Sequence, residues 1–85
     1  MAAKADRGVE AFVLLEAKAG KAIDLARQLS RIKGVTAAYA VTGPFDLIVH
    51  AEAADFKAVT QLVVSKIQTL PAVNRTLTCI VVEKL

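Results

Sequence analysis

Residues 41–46 form the segment of this sequence with the chemistry best suited to bind a ligand. Gly43 and Pro44 predict a tight reversal between two strands, and a reversal of this kind presents free backbone amides. Asp46 adds a carboxylate beside them. Two interpretations follow from these residue types. The amides and Asp46 could bind the carboxylate and ammonium groups of a ligand, or Asp46 could cap a local amide in a structural turn.

His50 is the only histidine, and it lies in a predicted strand in the row Asp46, Ile48, His50, Glu52. A general base oriented by one of these carboxylates is one interpretation. We favour an interface histidine that makes one or two hydrogen bonds, because a residue type alone does not establish a site. One histidine and one cysteine, Cys79, in separate strands fit no zinc-ligand spacing, and Gly43 lies in no phosphate-binding motif. We therefore predict no catalytic residue, no metal site and no cofactor.

The last predicted strand contains the only cysteine, Cys79. A single cysteine excludes an internal disulfide and is typical of a reducing cytoplasm. Because Leu77, Ile80 and Val81 surround it, we predict that Cys79 is a small buried hydrophobic residue and not a nucleophile. Thr76 and Thr78 share one face of the same strand, where β-propensity alone would account for both.

The composition limits the classes of partner. Fifty-five per cent of the 85 residues are hydrophobic, and a domain of this size buries only about 60–65% of its unfolded surface. Subunits are therefore expected to bury apolar surface against one another. Charged residues interrupt every apolar run, so no span of ~20 residues could cross a membrane. Eleven basic residues are scattered among eight acidic ones, with three Phe, one Tyr and no Trp, which disfavours direct binding of nucleic acid.

The spacing of apolar residues predicts four strands and two helices in the order βαββαβ. Gly34 is predicted to end the first helix and Asp55 to cap the second. Two βαβ halves make a ferredoxin-like sandwich, an α+β fold whose four-stranded antiparallel sheet has both helices on one face. Residues 1–8 are predicted to be a solvated lead-in and residues 9–85 the domain. The predicted strands are residues 9–16, 35–42, 45–52 and 74–83, and the predicted helices are residues 21–33 and 56–68.

The alternation of residues along the strands predicts two apolar faces. A sheet with one face open to water normally alternates apolar with polar residues, so we expect a second sheet to cover the face without helices in a face-to-face dimer. Toward the helices we predict Leu47, Val49, Ala51, Leu77, Cys79 and Val81. On the opposite face we predict Phe12, Leu14, Ile48, Ile80 and Val82.

The sequence as a whole resembles the effector domain of the Lrp/AsnC regulators, also called the RAM domain. The resemblance covers about residues 9–83 and depends on residues 40–47 (AVTGPFDL) and 74–81 (NRTLTCIV). These segments carry a Gly-x-aromatic-Asp hairpin and a Thr-x-Thr strand, and Leu70-Pro71 closes the helix between them.

The resemblance implies a dimeric α/β barrel, rings of eight or ten subunits, and an amino acid bound between dimers. By position, the ligand-contacting hairpin of the family corresponds to Gly43, Pro44 and Asp46. The strand that lines the ligand pocket corresponds to Thr76 and Thr78.

Full-length members of this family carry an N-terminal helix-turn-helix, and eight lead-in residues do not hold one. The chain therefore resembles a stand-alone form that senses an amino acid or assembles with DNA-binding relatives. We favour an amino-acid-binding regulatory module in the transcriptional control of amino-acid metabolism. The alternatives are a small cofactor-free enzyme resembling the monooxygenases of the dimeric α/β-barrel type, with His50 in the barrel, and a purely architectural oligomer.

Overall fold

The computed structural model describes residues 8–85 and has the predicted βαββαβ order. All of the predicted lead-in except Gly8 lies outside the described residues. Between residues 8 and 85, no helix has the length and apolar character needed to cross a membrane. The elements are β1 (Val9–Ala17), α1 (Ala22–Ser30), β2 (Val35–Ala40), β3 (Leu47–Ala53), α2 (Phe56–Leu62), a π-helical turn (Val63–Ile67) and β4 (Val73–Ile80).

The four strands form one antiparallel sheet in the order β2-β3-β1-β4, so β1 and β3 are central and β2 and β4 are edges. This order, with two crossover helices, confirms the ferredoxin-like sandwich. The sheet is not closed.

The core lies between the helices and one face of the two central strands. On this face, alternate residues of β1 and β3 are fully buried, as the apolar alternation of both strands predicts. The helices contribute apolar side chains at helical spacing, which pack on the strands. The fully or almost fully buried residues are Ala11, Val13, Leu15, Leu25, Leu29, Leu47, Val49, Ala51, Val59, Val63 and Ile67.

The orientation predicted for β4 is wrong. Val13 and Leu15 face the helices and pair with Thr78 and Thr76, so the threonines lie on the helix side. Leu77 and Cys79 consequently lie on the opposite face, and both are exposed. Cys79 is therefore not a buried hydrophobic residue. Ile80 is also on the helix side, because it pairs with the buried Ala11, and Val81 and Val82 lie beyond the end of the strand.

The physical reason for this error is that β4 is an edge strand that the helices hardly cover. Thr78 is exposed although it lies on the helix side, and Thr76 is only half-buried. Because both alternating sets of β4 residues contain apolar side chains, hydrophobicity does not distinguish the two orientations.

The helix ends agree with the prediction at one position and differ at others. The Asp55 side chain accepts a hydrogen bond from the Ala58 N–H at 2.8 Å, which confirms the predicted cap of α2. Helix α1 ends at Ser30, earlier than predicted, so Gly34 lies in the turn before β2, where its φ is +98°. Phe56, the first residue of α2, is 61% exposed.

Candidate ligand site and open sheet face

The hairpin between β2 and β3 lies at the end of the sheet where β1 ends and β4 begins. The Val41 N–H donates to the Asp46 carbonyl at 2.8 Å, and the Asp46 N–H donates to the Leu15 carbonyl at 2.8 Å. Leu15 pairs in turn with Thr76. The hairpin and the first half of β4 are thereby held on either side of β1, and Asp46 and Thr76 lie at the same end of the sheet.

The carboxylate of Asp46 has a structural partner. Its Oδ2 accepts a hydrogen bond from the Ala17 N–H at 2.9 Å in a partly buried position. Ala17 follows an irregularity in the β1–β4 pairing between Glu16 and Ala17. The amide that Asp46 caps is thus in another strand, 29 residues away, and not within its own turn. Within residues 8–85, Oδ1 of Asp46 has no hydrogen-bond partner.

The tip of the hairpin is open to solvent. Gly43 and Pro44 are exposed, and a Cβ added at Gly43 would meet no atom within 4 Å. The φ of Gly43 is +151°, a conformation that L side chains rarely adopt. The glycine therefore permits this shape of the turn and, without a side chain, leaves the backbone accessible.

The two threonines of β4 have different surroundings. The Thr76 hydroxyl oxygen accepts a hydrogen bond from Gln68 Nε2 at 2.8 Å, so its hydrogen is available to donate to another group. Thr78 is exposed and lies farther along the strand, opposite Val13. Thr76 therefore lies at the hairpin end of the sheet, across β1 from Asp46, and Thr78 lies nearer the middle of the sheet.

Gln68 is a neighbour of the site that the sequence did not indicate. Its N–H donates to the Val63 carbonyl at 2.8 Å, five residues earlier, which is the hydrogen bond of a π-helical turn. This turn ends α2 and sets the direction from which Gln68 reaches Thr76. The apolar periodicity predicted a helix here and contained no signal for the π-helical turn.

Arg75 was also missed, and it brings a cation to the same end of the sheet. Its guanidinium lies 5.2 Å from the centre of the Phe45 ring in the hairpin. Its Nη2 and Nε donate to Glu16 Oε2 at 2.7 and 3.2 Å. The bond to Glu16 raises the pKa of Arg75 above its ordinary value. The register that joins Arg75 to Glu16 could not be derived from the sequence pattern.

A second polar group lies on the open face, the side of the sheet without helices. His50 Nε2 lies 2.8 Å from Glu10 Oε1, and Nδ1 is hydrogen-bonded to the Thr36 hydroxyl. The Phe12 ring is 4.9 Å from the imidazole, centre to centre. The sequence had suggested Asp46 or Glu52 as the carboxylate partner, and this is wrong. Glu10 is opposite Glu52 and diagonal to His50, a position that depends on strand register and not on spacing within β3.

Glu10 joins His50 to the C-terminal residues of the chain. Its Oε2 accepts a hydrogen bond from Lys84 Nζ at 3.1 Å. The hydrogen bond from His50, and to a lesser extent that from Lys84, lower the pKa of the Glu10 carboxyl below its ordinary value. Glu10 is therefore an anion in contact with two potential cations.

Large apolar side chains surround this polar group. Phe12 is 41% exposed, Leu77 47% and Tyr39 57%, and Leu14 and Ile48 are half-buried. All five lie on the open face, because each pairs with another member of that face: Leu14 with Leu77 and Ile48, and Ile48 with Tyr39. The structure thus confirms the predicted apolar character of this face at Phe12, Leu14 and Ile48.

Comparison with known proteins agrees with this architecture. Residues 10–85 match the family model of the Lrp/AsnC ligand binding domain. The crystal structure of FFRP-DM1 is 35% identical with a TM-score of 0.83, and the alignment covers 87% of this chain and 99% of that one. A hypothetical protein of Pyrococcus horikoshii, PHS023, is 34% identical with a TM-score of 0.83, over 89% and 92% of the two chains.

A more distant structure is the complex of the transcriptional regulator NMB0573 from Neisseria meningitidis with L-Met. It is 21% identical, has a TM-score of 0.85, and the alignment covers 100% of this chain and 56% of that one. At this identity the likeness shows the fold alone. Comparison with curated proteins finds no match. The family model and the two structures above 30% identity show that this chain belongs to the Lrp/AsnC ligand-binding domain family.

Proposed function

We propose that this domain binds a small amino acid and acts, without catalysis, as a cytoplasmic regulatory module in the transcriptional control of amino-acid metabolism. The observation that best supports the site is that the hairpin and Thr76 flank the same residue of β1: the Asp46 N–H donates to the Leu15 carbonyl on one side, and Leu15 is the register partner of Thr76 on the other. Gly43, Pro44, Asp46 and Thr76 therefore lie at the same end of the sheet, in a chain that belongs to a ligand-binding family. The choice of an amino acid draws support from the L-Met complex of the Neisseria regulator.

The groups at this end of the sheet suit both ends of a zwitterion. An amino acid needs hydrogen-bond donors for its carboxylate and an anionic acceptor for its ammonium group. Exposed amides near Gly43 and the free hydrogen of the Thr76 hydroxyl are donors. Oδ1 of Asp46, which has no partner within residues 8–85, is an acceptor. Pro44 stiffens the turn, and Thr78 extends the polar side of β4.

We further propose that another subunit completes this site. The tip of the hairpin is exposed, and an open cleft of ≈ 360 Å³ beside the start of α1 includes neither Asp46 nor Thr76 among its lining residues. A single subunit therefore offers polar groups on one side of a ligand, and a neighbouring subunit would supply the other.

The assembly we propose starts from a face-to-face dimer. The open face exposes Phe12, Tyr39 and Leu77, and burying such side chains is the main favourable contribution to protein association. Rings of eight or ten subunits would then follow from contacts between dimers, and DNA-binding relatives could join as hetero-partners. No direct contact with nucleic acid is proposed for this domain.

We assign no catalytic role to His50. Both of its ring nitrogens have partners, Glu10 and Thr36. If His50→Gln abolished turnover of a substrate by the folded protein, the enzyme alternative would be correct instead.

A thermal-shift screen against the twenty amino acids tests the proposed function. A ligand at a hundred times its dissociation constant stabilises a site by about 2.7 kcal/mol, which is on the order of 10 °C in melting temperature for a domain of this size. We expect at least one amino acid to produce such a shift in the unmodified chain.

Two substitutions show whether the shift depends on Asp46. Asp46→Asn retains an oxygen that can accept from the Ala17 N–H but removes the charge that would bind an ammonium group, so we expect it to reduce the shift at the same ligand concentration to about half or less. Asp24→Asn is the matched control, because Asp24 is 75% exposed on the helix layer. If no amino acid at millimolar concentration moves the melting temperature or the elution volume, the chain is an architectural oligomer and the proposal is wrong.

A further inference from the structure

We propose that Glu10, His50 and Glu52 bind one divalent transition-metal ion, of the zinc class, on the open face of the sheet. One ligand atom from each of these three side chains lies within 4.8 Å of the other two. Glu10 on β1 pairs directly with Glu52 on β3. His50 is two residues before Glu52 and therefore points to the same face. The antiparallel register thus places an imidazole and two carboxylates in one group.

This set of donors matches the preferences of a specific class of ion. Zn²⁺ binds imidazole nitrogen and carboxylate oxygen at about 2.0–2.2 Å, so its ligand atoms lie roughly 3.3–3.6 Å apart in a tetrahedral site. His50 Nε2 and Glu10 Oε1 are 2.8 Å apart, and the whole group lies within 4.8 Å. Small side-chain rotations would therefore place all three around one ion. A mixed nitrogen and oxygen set favours Zn²⁺ and similar ions over Ca²⁺ or Mg²⁺.

The neighbours of His50 hold its ring in the orientation that a metal ligand needs. The Thr36 hydroxyl can donate to the His50 carbonyl oxygen at 3.1 Å while it accepts from the Nδ1–H. A metal ion that replaces the Nε2 proton could then be bound by the Nε2 lone pair while Nδ1–H keeps its bond to Thr36. Metal-binding histidines are oriented in this way by a hydrogen bond to the other ring nitrogen. The Phe12 ring, 4.9 Å from the imidazole, restricts its rotation.

Lys84 provides a cation that a metal ion would displace. Its ammonium group is 3.1 Å from Glu10 Oε2, and its side chain is 68% exposed. The Glu10 and His50 side chains are only 15% and 20% exposed. The anion is therefore sheltered, whereas Lys84 can move into solvent. We expect Lys84→Gln to strengthen binding of the metal ion, since it removes the competing charge.

Titration calorimetry of the tag-free chain with Zn²⁺, in chelator-free buffer at neutral pH, tests this proposal. We expect saturable binding of one ion per chain and a decrease in affinity of roughly tenfold or more in Glu52→Gln, because one of three protein ligands is lost. Glu52 is exposed and makes no side-chain hydrogen bond within residues 8–85, so this variant should fold normally. His50→Gln should abolish binding, with circular dichroism as the check on its fold.

Asp24→Asn is again the matched control, because it removes one carboxylate from the opposite layer, and its affinity for Zn²⁺ should equal that of the unmodified chain. The absence of saturable binding by the unmodified chain would overturn the proposal. So would equal affinities for Glu52→Gln and Asp24→Asn. The titration contains no amino acid, so its outcome is separate from that of the ligand screen.

Discussion

The two faces of the central strands differ in what they bury and in what chemistry they carry. Toward the helices, β1 and β3 present only apolar residues, and those in the middle of each strand are fully buried. On the open face, the same strands alternate Phe12, Leu14 and Ile48 with charged or ionisable groups such as Glu10 and His50. The helix-covered face therefore supplies the stability of the fold, whereas the open face is suited to association and to binding ions.

The largest expected effect is on the free energy of unfolding. It should appear when a core residue of β1 is replaced and the loss is compared with that for its neighbour on the other face. Leu15→Ala should lower the free energy of unfolding by about 2–5 kcal/mol, because Leu15 is fully buried and its loss leaves a cavity. Leu14→Ala should cost less than about 1.5 kcal/mol in dilute solution, since Leu14 is only half-buried. Chemical denaturation of both variants measures the difference, and equal losses would contradict the division between the faces.

A charge on the open face should disrupt assembly while leaving the fold intact. Ile48→Asp would place an unpaired carboxylate in the proposed dimer interface, at a cost of several kcal/mol in association. We expect sedimentation velocity to show a folded monomer for this variant and a dimer or larger species for the unmodified chain.

Ile23→Asp is the control for that substitution. Ile23 is 63% exposed on α1, on the other side of the molecule, so its replacement should leave the dimer intact. A folded monomer from the unmodified sequence would show that the open face does not associate.

A smaller effect is expected where the hairpin meets β1. Asp46→Ala leaves the partly buried Ala17 N–H without its acceptor, which should lower the free energy of unfolding by about 1–3 kcal/mol. Asp46→Asn should retain most of this stability because its side-chain oxygen can still accept. If the two variants melt at the same temperature, the carboxylate does not stabilise the hairpin through Ala17.

The smallest expected effect is at the start of α2, at the opposite end of β3 from the hairpin. Asp55→Ala removes the acceptor of the Ala58 N–H and should cost about 1 kcal/mol of stability. Ligand binding and assembly should be unchanged. A thermal melt measures the loss, and a change in assembly would show that the helix layer contributes to the contacts between subunits.

The sequence predicted the element order and the core face of the central strands because helices cover that face completely. The polar residues of β1 and β3, Glu10, Glu16, His50 and Glu52, all belong to the other alternating set, so Leu47 and Val49 could be assigned to the core without a structure. At the edge strand β4 the same reasoning failed, since the helices hardly cover it: Leu77 is exposed on the open face and Thr76 lies on the helix side.

The sequence could predict a candidate site only where its residues lie in one continuous segment of the chain. The hairpin with Gly43 and Asp46 was found because its residues are consecutive. The contacts of Asp46 with Ala17 and of His50 with Glu10 join strands 29 and 40 residues apart. These contacts depend on strand register, that is, on which residue of one strand lies opposite which residue of the next. When both faces of a sheet are apolar, the pattern of apolar residues does not specify that register.

Isothermal titration with the amino acid that gives the largest melting shift tests most directly whether the hairpin end of the sheet is a ligand site. We expect saturable binding to the unmodified chain and to Asp24→Asn, with affinity weaker by about tenfold or more for Asp46→Asn, because a charge-assisted contact to the ammonium group is lost. Equal affinities for Asp46→Asn and Asp24→Asn, or no saturable heat with any of the twenty amino acids, would contradict the assignment of this site.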